Sequence, residues 1–353
     1  MQVSLLGLSG SGVKTSFSAI IGLGVSGAIQ TQSSGSNRIS VLQVPDRRLE
    51  LLTSCFQPLK TVPVAIQIIE FPGLISEKVD ARSVAKCRET DALAFVLRSF
   101  ESSDFPHIRG SVDPIRDLNT LEEEILLMDL EIVEGRLDKL KKSLQKKKDP
   151  DEELEVQVLR RCLKKLEAGA PLREMNLRDW EKKLIRGFGF LTQKPVFVLL
   201  NIGDEQIQSQ KSLLKPFLKK GYSARAVCAD IESELAHFQN SERLQLMGEF
   251  GIEELAAPVV VEGIFHALEL VTFYTVGEDE CRAWTICRGQ TAIHAAARIH
   301  SDLAERFIRA EVTGFKAFQE FRDLKQVRLA GKMRLEGRDY LVQDGDLIEI
   351  RHN

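Results

Sequence analysis

The stretch GLSGSGVKT (7–15) carries the most specific chemistry in this chain. A glycine-rich turn between a strand and a helix lets consecutive backbone N–H groups converge on phosphate oxygens. The complete motif reads G-x-x-x-x-G-K-[ST], with a lysine for the β- and γ-phosphates and a Ser or Thr for Mg²⁺. After Gly12 the lysine belongs at position 13, where Val13 stands, and Lys14 comes one residue late. Two readings are open. Either Val13 replaces the lysine and Lys14 replaces the Mg²⁺ ligand, or the loop holds one extra residue and Lys14 and Thr15 keep their roles. An eroded loop that keeps the fold without the affinity is the third possibility, and a mere tight turn the fourth. No other cluster competes. Cys55, Cys87, Cys162, Cys228, Cys281 and Cys287 show no CxxC spacing, so neither a disulfide framework nor a zinc site is expected, and reduced thiols in a cytoplasm fit better. His237, His266, His294, His300 and His352 lack metal-ligand spacing as well.

The elements that must position this loop are legible around it. QVSLLG (2–7) reads as a short strand feeding the turn, with a helix beginning near Lys14. ISVLQV (39–44), VAIQIIEF (64–71) and ALAFVLRSF (92–100) read as further strands. The last two are nearly continuous apolar runs, as buried strands of a parallel sheet should be. PVFVLLN (195–201) and SARAVCA (223–229) have the same character but lie far downstream, so the sheet is expected to be interrupted by an insertion.

That insertion reads as helical. Leu121, Ile125, Met128 and Ile132 form one apolar track, and Val133, Leu137, Leu140 and Leu144 a second, at helical spacing. KKKDPDEE (146–153) breaks the pattern at a proline, and Leu159, Cys162, Leu163 and Leu166 resume it. Two helices joined by a short turn make an antiparallel hairpin, and 25 helical residues would project roughly 37 Å. Residues 136–148 hold seven basic side chains, Arg136, Lys139, Lys141, Lys142, Lys146, Lys147 and Lys148, against the single acid Asp138. Such a tip is either a solvated face or a contact for a phosphate backbone. Beyond it, the last 80 or so residues read as a compact α+β unit, with CRAWTICRG and the DG-containing terminal stretch as strands.

Composition bounds the rest. The 353 residues suffice for two or three domains, and 43% apolar with 28% charged residues is the balance of a soluble globular protein. No apolar run is long enough to span a bilayer, and the N-terminus lacks the basic region of a secretory signal. A net charge of −3 excludes a chain that is basic throughout, so any nucleic-acid contact must be a local patch.

The order of these motifs carries a resemblance. The phosphate loop is followed by VPDRRLELL (44–52), EFPGLI (70–75), RETDALAFVLRSF (88–100), HIRGSVDP (107–114), the helical insertion and NIGD (201–204). The C-terminal stretches CRAWTI, IHSDLAERFIRAEV and AGKMRLEGRDYLVQDGDLIEI are the most specific part. The whole chain resembles the YchF subfamily of Obg-like P-loop GTPases/ATPases. The resemblance implies an α/β fold: a Ras-like P-loop G domain (1–110 and 190–270), a coiled-coil hairpin inserted at 111–189, and a ubiquitin-like β-grasp (TGS) domain at 271–353. It also implies a purine nucleotide, ATP or GTP with Mg²⁺, and association with ribosomes or RNA through the basic arm and the TGS domain.

Carried over position by position, the family's G-L-P-N-V-G-K-S-T loop places Val13 on the lysine and Lys14 on the serine. The DxxG motif, whose aspartate holds Mg²⁺ through water, becomes EFPG, with Glu70 as the acid and Gly73 at its end. The glycine-rich switch that follows it in the family is shortened to SEKVDARSVAK, and the switch I threonine aligns near Ser34. NIGD sets Asn201 and Asp204 at the base, joined by Cys228 and Ala229 in the next loop. His107 falls where the family carries a histidine suggested to assist hydrolysis; its alternative is a loop residue fixing the start of the arm. His300 reads as structural within the TGS fold. Charge-assisted hydrogen bonds from the missing lysine are each on the order of 1.5–3 kcal/mol, so binding should weaken roughly 10- to 150-fold. Phosphoryl transfer rests almost wholly on positioning and electrostatics, and the expectation is a poor or dead hydrolase.

Overall fold

The computed structural model describes residues 1–22, 29–34, 37–71 and 81–353. They divide into two units: residues 1–41 with 67–264, and residues 42–66 with 265–353. The strands are β1 (Gln2–Leu6), β2 (Ile29–Ser34), β3 (Asn37–Gln43), β4 (Lys60–Val62), β5 (Ala65–Phe71), β6 (Ala92–Arg98), β7 (Val196–Asn201), β8 (Ser223–Val227), β9 (Leu270–Thr275), β10 (Glu280–Cys287), β11 (Phe307–Gly314), β12 (Arg334–Glu336) and β13 (Asp346–His352).

In the first unit, every residue of β6 and β7 is buried, which is what their unbroken apolar runs demand of central parallel strands. The sheet order is β2-β3-β5-β1-β6-β7-β8, with β1 between β5 and β6 and parallel to both. β6, β7 and β8 continue in parallel, while β2 and β3 pair antiparallel. The chain therefore leaves β1 toward one sheet edge and later returns to extend the other. In open α/β sheets such a reversal opens a crevice at the carboxyl ends of the strands. The register brings candidate residues to that rim: Leu5 is level with Glu70, Arg98 with Asn201, and Asn201 with Val227.

The insertion is a helical hairpin, as its periodicity predicts, but its helices are unequal. Pro114–Lys146 runs 33 residues, about 50 Å at 1.5 Å per residue, and Pro150–Glu167 runs 18. Each opens on a proline preceded by an aspartate cap, Asp113 and Asp149, whose carboxylates accept the free N–H groups of the first turn. The two apolar tracks serve different partners. Leu121 and Ile125 join the core of the sheet, whereas Val133 and Leu140 pack with Val158, Leu159, Cys162 and Leu166 of the second helix. Between these segments Asp129 is fully buried. It pairs with Arg88 at 2.6 Å and accepts from the Leu191 and Thr192 N–H groups and the Thr192 hydroxyl. A buried carboxylate so completely satisfied fixes the root of the arm to the residues leading into β7.

The second unit is a six-stranded sheet ordered β12-β11-β13-β9-β10-β4. β9 and β10 form an antiparallel hairpin, β13 returns parallel to β9, and the helix Ala292–Ile299 packs across them, a β-grasp arrangement. His300 interrupts the helical run and caps Ser301–Glu305, its Nδ1 accepting from the Asp302 N–H, which is the structural role expected of it. The sequence boundary at 271 needs one correction. Residues 42–66, assigned to the first domain by motif order, belong to this unit instead. The helix Arg47–Phe56 buries Leu49 and Leu52 against Tyr274, Ala283, Phe318 and Leu347, and β4 extends the sheet beside β10. Asp46 caps that helix and accepts from the Tyr274 hydroxyl, and Arg48 pairs with Asp344 at 2.6 Å. These are long-range contacts that no local pattern announces.

Candidate phosphate-loop site

The loop after β1 has the backbone of an anion cradle. Gly10 and Gly12 take φ of +79° and +86°, the left-handed region that glycine alone enters without strain. A side chain at Gly12 would also collide with Asn201 Nδ2, 2.2 Å from an added Cβ. Gly7 is needed for another reason, since a Cβ there would lie 2.5 Å from the Val96 carbonyl and 2.4 Å from Ser11 Oγ. The Ser11 N–H bonds the Leu8 carbonyl at 3.0 Å, and the Gly12 carbonyl accepts from Ser16 N at 2.8 Å. The helix Val13–Gly22 thus starts at Val13 and aims its free N-terminal N–H groups at the loop.

Side chains around this backbone depart from the complete motif. Val13 is buried, its Cγ2 3.1 Å from the position of a Cβ on Gly7, so it fills the floor of the loop and offers no phosphate contact. Lys14 is exposed at the second helical position, and Thr15 is half-buried. The helix begins directly after Gly12 with Val13 in the lysine's place, which agrees with substitution rather than with an extra loop residue. Three buried polar atoms here make no hydrogen bond: Ser11 Oγ in the loop, Ser16 Oγ in the first turn of the helix and Arg98 Nη2 at the end of β6. Arg98 is 1% exposed; its Nε donates to the Phe100 carbonyl at 2.9 Å, its guanidinium lies over the Phe100 ring, and Nη1 reaches toward the Gly10 carbonyl at 3.5 Å. A buried cation under a glycine turn makes the cradle electropositive without the canonical lysine.

Asn201 ties the phosphate loop to the opposite loop. Its Nδ2 donates to the Ser11 carbonyl at 3.1 Å, and its Oδ1 accepts from the Ala229 N–H at 3.3 Å. Asn201, Gly12 and Ala229 therefore form one assembly at the rim. Cys228 and Ala229 are buried, and burial pushes the Cys228 thiol up to about 11, so it is an inert packing group. Asp204 is exposed, and its Oδ1 accepts from the Glu205 N–H at 2.9 Å. Directly after Ala229, Glu232 is buried and receives the Ala256 N–H, and burial raises its carboxyl to about 7.

The metal side differs most from expectation. Glu70 is 1% exposed on β5, and its carboxylate is bound by the Arg38 guanidinium of β3. Arg38 also donates to the Lys14 carbonyl at 3.0 Å and toward Ser18 Oγ at 3.4 Å, and it lies over the Phe17 ring at 4.7 Å. The acid that would hold Mg²⁺ is already neutralised by a side chain held in four contacts. Val13 and Lys14 supply no side-chain oxygen, and the first turn of the helix offers the half-buried Thr15 hydroxyl and the buried Ser16 hydroxyl, which makes no hydrogen bond. The residues present fit a polyphosphate, through the cradle and its unpaired polar atoms, but they do not fit Mg²⁺. The two metal-ligand expectations therefore differ: Glu70 is engaged by Arg38, and the Thr15 hydroxyl is left at the head of the helix. Gly73 lies outside the described residues, as do residues 76–80 of the switch segment after it.

His107 is held elsewhere. Its ring Nε2 is 2.8 Å from Asp117 Oδ2, and Nδ1 accepts from the Arg109 N–H at 3.1 Å. Arg116 braces the other Asp117 oxygen at 3.0–3.1 Å. Both ring nitrogens are thus engaged inside the segment that opens the arm. Sequence reasoning missed Arg38, Ser11 and Arg98. Arg98 carried a faint signal, as a charge closing an otherwise apolar strand, and Arg38 carried none.

Comparison with known proteins agrees with this architecture. Residues 270–353 match the family model YchF-GTPase_C, described as a protein of unknown function (DUF933). The chain is 32% identical to the ribosome-binding ATPase YchF of Bacillus subtilis (strain 168), covering all of this chain and 99% of that protein. It is 34% identical to the protein of the same name from Haemophilus influenzae, and 33% to that of Escherichia coli O157:H7, with the same coverage. Its fold superposes on the Schizosaccharomyces pombe YchF GTPase with a TM-score of 0.79 at 25% identity, over 99% of this chain and 97% of that one. One-third identity from end to end, on a shared fold, makes this chain a member of the YchF family.

Proposed function

We propose that this chain is a nucleotide-binding factor of the translation apparatus that holds a purine nucleotide and hydrolyses it slowly or not at all. The observation that carries this reading is the cradle itself. Gly10 and Gly12 keep their left-handed backbone, and Asn201 locks the loop to Ala229. The chemistry for turnover is reduced at the same place: Val13 is buried, Glu70 is paired with Arg38, and His107 is engaged by Asp117. Phosphoryl transfer needs charge stabilisation at the transferring group, and these changes remove three sources of it. Gly7, Gly10, Gly12 and Lys14 are assigned to the phosphates, and Asn201, Asp204, Cys228 and Ala229 to the walls of the base pocket. Asp204, exposed at the head of a short 3₁₀ turn, is free to meet a purine edge.

The relatives' name supplies the partner, a ribosome, and the arm supplies a surface for it. Lys139, Lys141, Lys142, Lys146, Lys147 and Lys148 are exposed, whereas Arg136 is committed to Glu155 at 2.7 and 2.8 Å. The arm and the β-grasp unit would meet ribosomal RNA, in a cytoplasmic setting. Among the described residues, no helix is long and apolar enough to cross a membrane.

Steady-state phosphate release, with and without ribosomes, tests the catalytic half: turnover should be at the limit of detection in both, and brisk turnover would refute slow hydrolysis. Co-sedimentation tests the partner. Neutralising Lys141, Lys142, Lys146, Lys147 and Lys148 should lower ribosome binding and flatten its salt dependence, because each phosphate contact adds about 0.7–0.9 to the log–log slope. Unchanged binding would remove the arm from the interface.

A further inference from the structure

We infer that Arg38 replaces the divalent cation, so that this loop binds the metal-free form of its nucleotide. The inference rests on the nucleotide-binding reading and specifies which form of that ligand the site accepts. Three observations carry it. Glu70 is a buried carboxylate at the carboxyl end of the strand beside β1, and a buried carboxylate needs a fixed partner. Its partner is a guanidinium, which is permanently charged and planar, whereas an Mg²⁺ site needs open oxygen ligands in near-octahedral geometry. Arg38 is also held in register with the head of the loop's helix: it donates to the Lys14 carbonyl and toward Ser18 Oγ, and it stacks on Phe17.

The charge arithmetic follows. In a complete loop a lysine and a divalent ion together face the phosphates. Here, among the described residues, buried Arg98 and exposed Lys14 stand at the loop, and Arg38 beside the helix has its charge matched by Glu70. Arg38 stays fixed by Glu70 while Nη2 donates to the Lys14 carbonyl and Nη1 toward Ser18 Oγ. A nucleotide arriving with its own Mg²⁺ would find the Glu70 carboxylate already taken by the guanidinium, so the ion gains no ligand there. Free nucleotide loses nothing by this, and the two guanidinium N–H groups that Glu70, Lys14 and Ser18 leave over are donors for a phosphate oxygen.

The test is calorimetric titration of ADP, ATP and GTP into nucleotide-stripped protein, once in EDTA and once in millimolar Mg²⁺. Binding in EDTA should equal or exceed binding in Mg²⁺. The Arg38→Gln variant should lose about tenfold or more of its affinity in EDTA. Because that variant leaves Glu70 buried and unpaired, the double variant Arg38→Gln/Glu70→Gln keeps the test open should the single one fail to fold, and the same loss in EDTA is expected of it. Mn²⁺ as a paramagnetic probe should show no protein-bound ion in the wild-type complex. Binding that is tenfold or more tighter with Mg²⁺, or a bound Mn²⁺ signal at stoichiometry, would overturn the inference and leave nucleotide binding standing. Binding in neither buffer would overturn both.

Discussion

The phosphate end and the proposed base end of this candidate site have diverged to different degrees. At the base end Asn201 still bridges the Ser11 carbonyl and the Ala229 N–H, joining two loops more than twenty residues apart in sequence on either side. At the phosphate end the backbone is equally intact, with Gly7, Gly10 and Gly12 each required by a close approach or a left-handed φ. The side chains there have changed: a valine fills the floor and an arginine sits on the acid. Geometry and charge have thus separated within one crevice. The difference teaches that a cradle made of backbone can outlast the cations that once completed it, because its glycines are also needed to close the fold around β1.

Four substitutions test that separation, beginning with the largest effect. Gly12→Ala forces a non-glycine residue into φ +86° and drives its Cβ into Asn201 Nδ2. The expected cost is about 1–3 kcal/mol of stability with loss of nucleotide binding, read from urea unfolding and titration. Normal binding by a folded Gly12→Ala protein would show that the loop's geometry is not what holds the ligand. Asn201→Ala leaves the Ser11 carbonyl and the Ala229 N–H without their partner. About 2–3 kcal/mol should be lost, and loop and base pocket should loosen together in hydrogen exchange. Loosening confined to one loop would break the coupling assigned to Asn201.

Val13→Lys restores charge without touching the backbone. About a tenfold gain in affinity for ATP or GTP is expected, at some cost in melting temperature because Val13 is buried. No gain would mean that the loop's floor, rather than its missing charge, limits binding. The smallest effect belongs to the scaffold behind the base. Glu232 has its carboxyl raised by burial from 4.5 to about 7, so the folded state holds that proton more tightly than the unfolded chain. Its contribution is therefore fully present below 4.5, is lost as pH rises from 4.5 to 7, and is flat above. Glu232→Gln should erase that slope and leave the protein more stable than wild type at alkaline pH. An unaltered pH profile of melting would contradict the assignment.

Sequence alone reached the parts of this molecule that repeat or alternate. The apolar runs at 64–71, 92–100 and 195–201 led to β5, β6 and β7, and the helical tracks from Leu121 onward led to the arm. Short or polar strands escaped it, since β2, β4 and β12 lack a run long enough to register above their surroundings, and β9 was passed over although LVTFYT carries one. The placement of residues 42–66 with the C-terminal unit escaped it too, since Leu52 meets Tyr274 and Phe318 across more than two hundred residues. At the site, glycine spacing made the cradle visible. The Arg38–Glu70 pair was not visible, because 32 residues separate its members and an arginine on a strand carries no local signature. Motif reading finds which residues have been lost. What has taken their place emerges only from the fold.

The measurement closest to the central claim is the titration of purine nucleotide into stripped protein, with hydrolysis followed in the same samples. The account predicts saturable heat at about tens to hundreds of micromolar nucleotide, with the ligand recovered uncleaved. Absence of binding up to millimolar nucleotide, confirmed by an unchanged melting temperature, would contradict it and leave a GTPase fold kept for its surfaces alone.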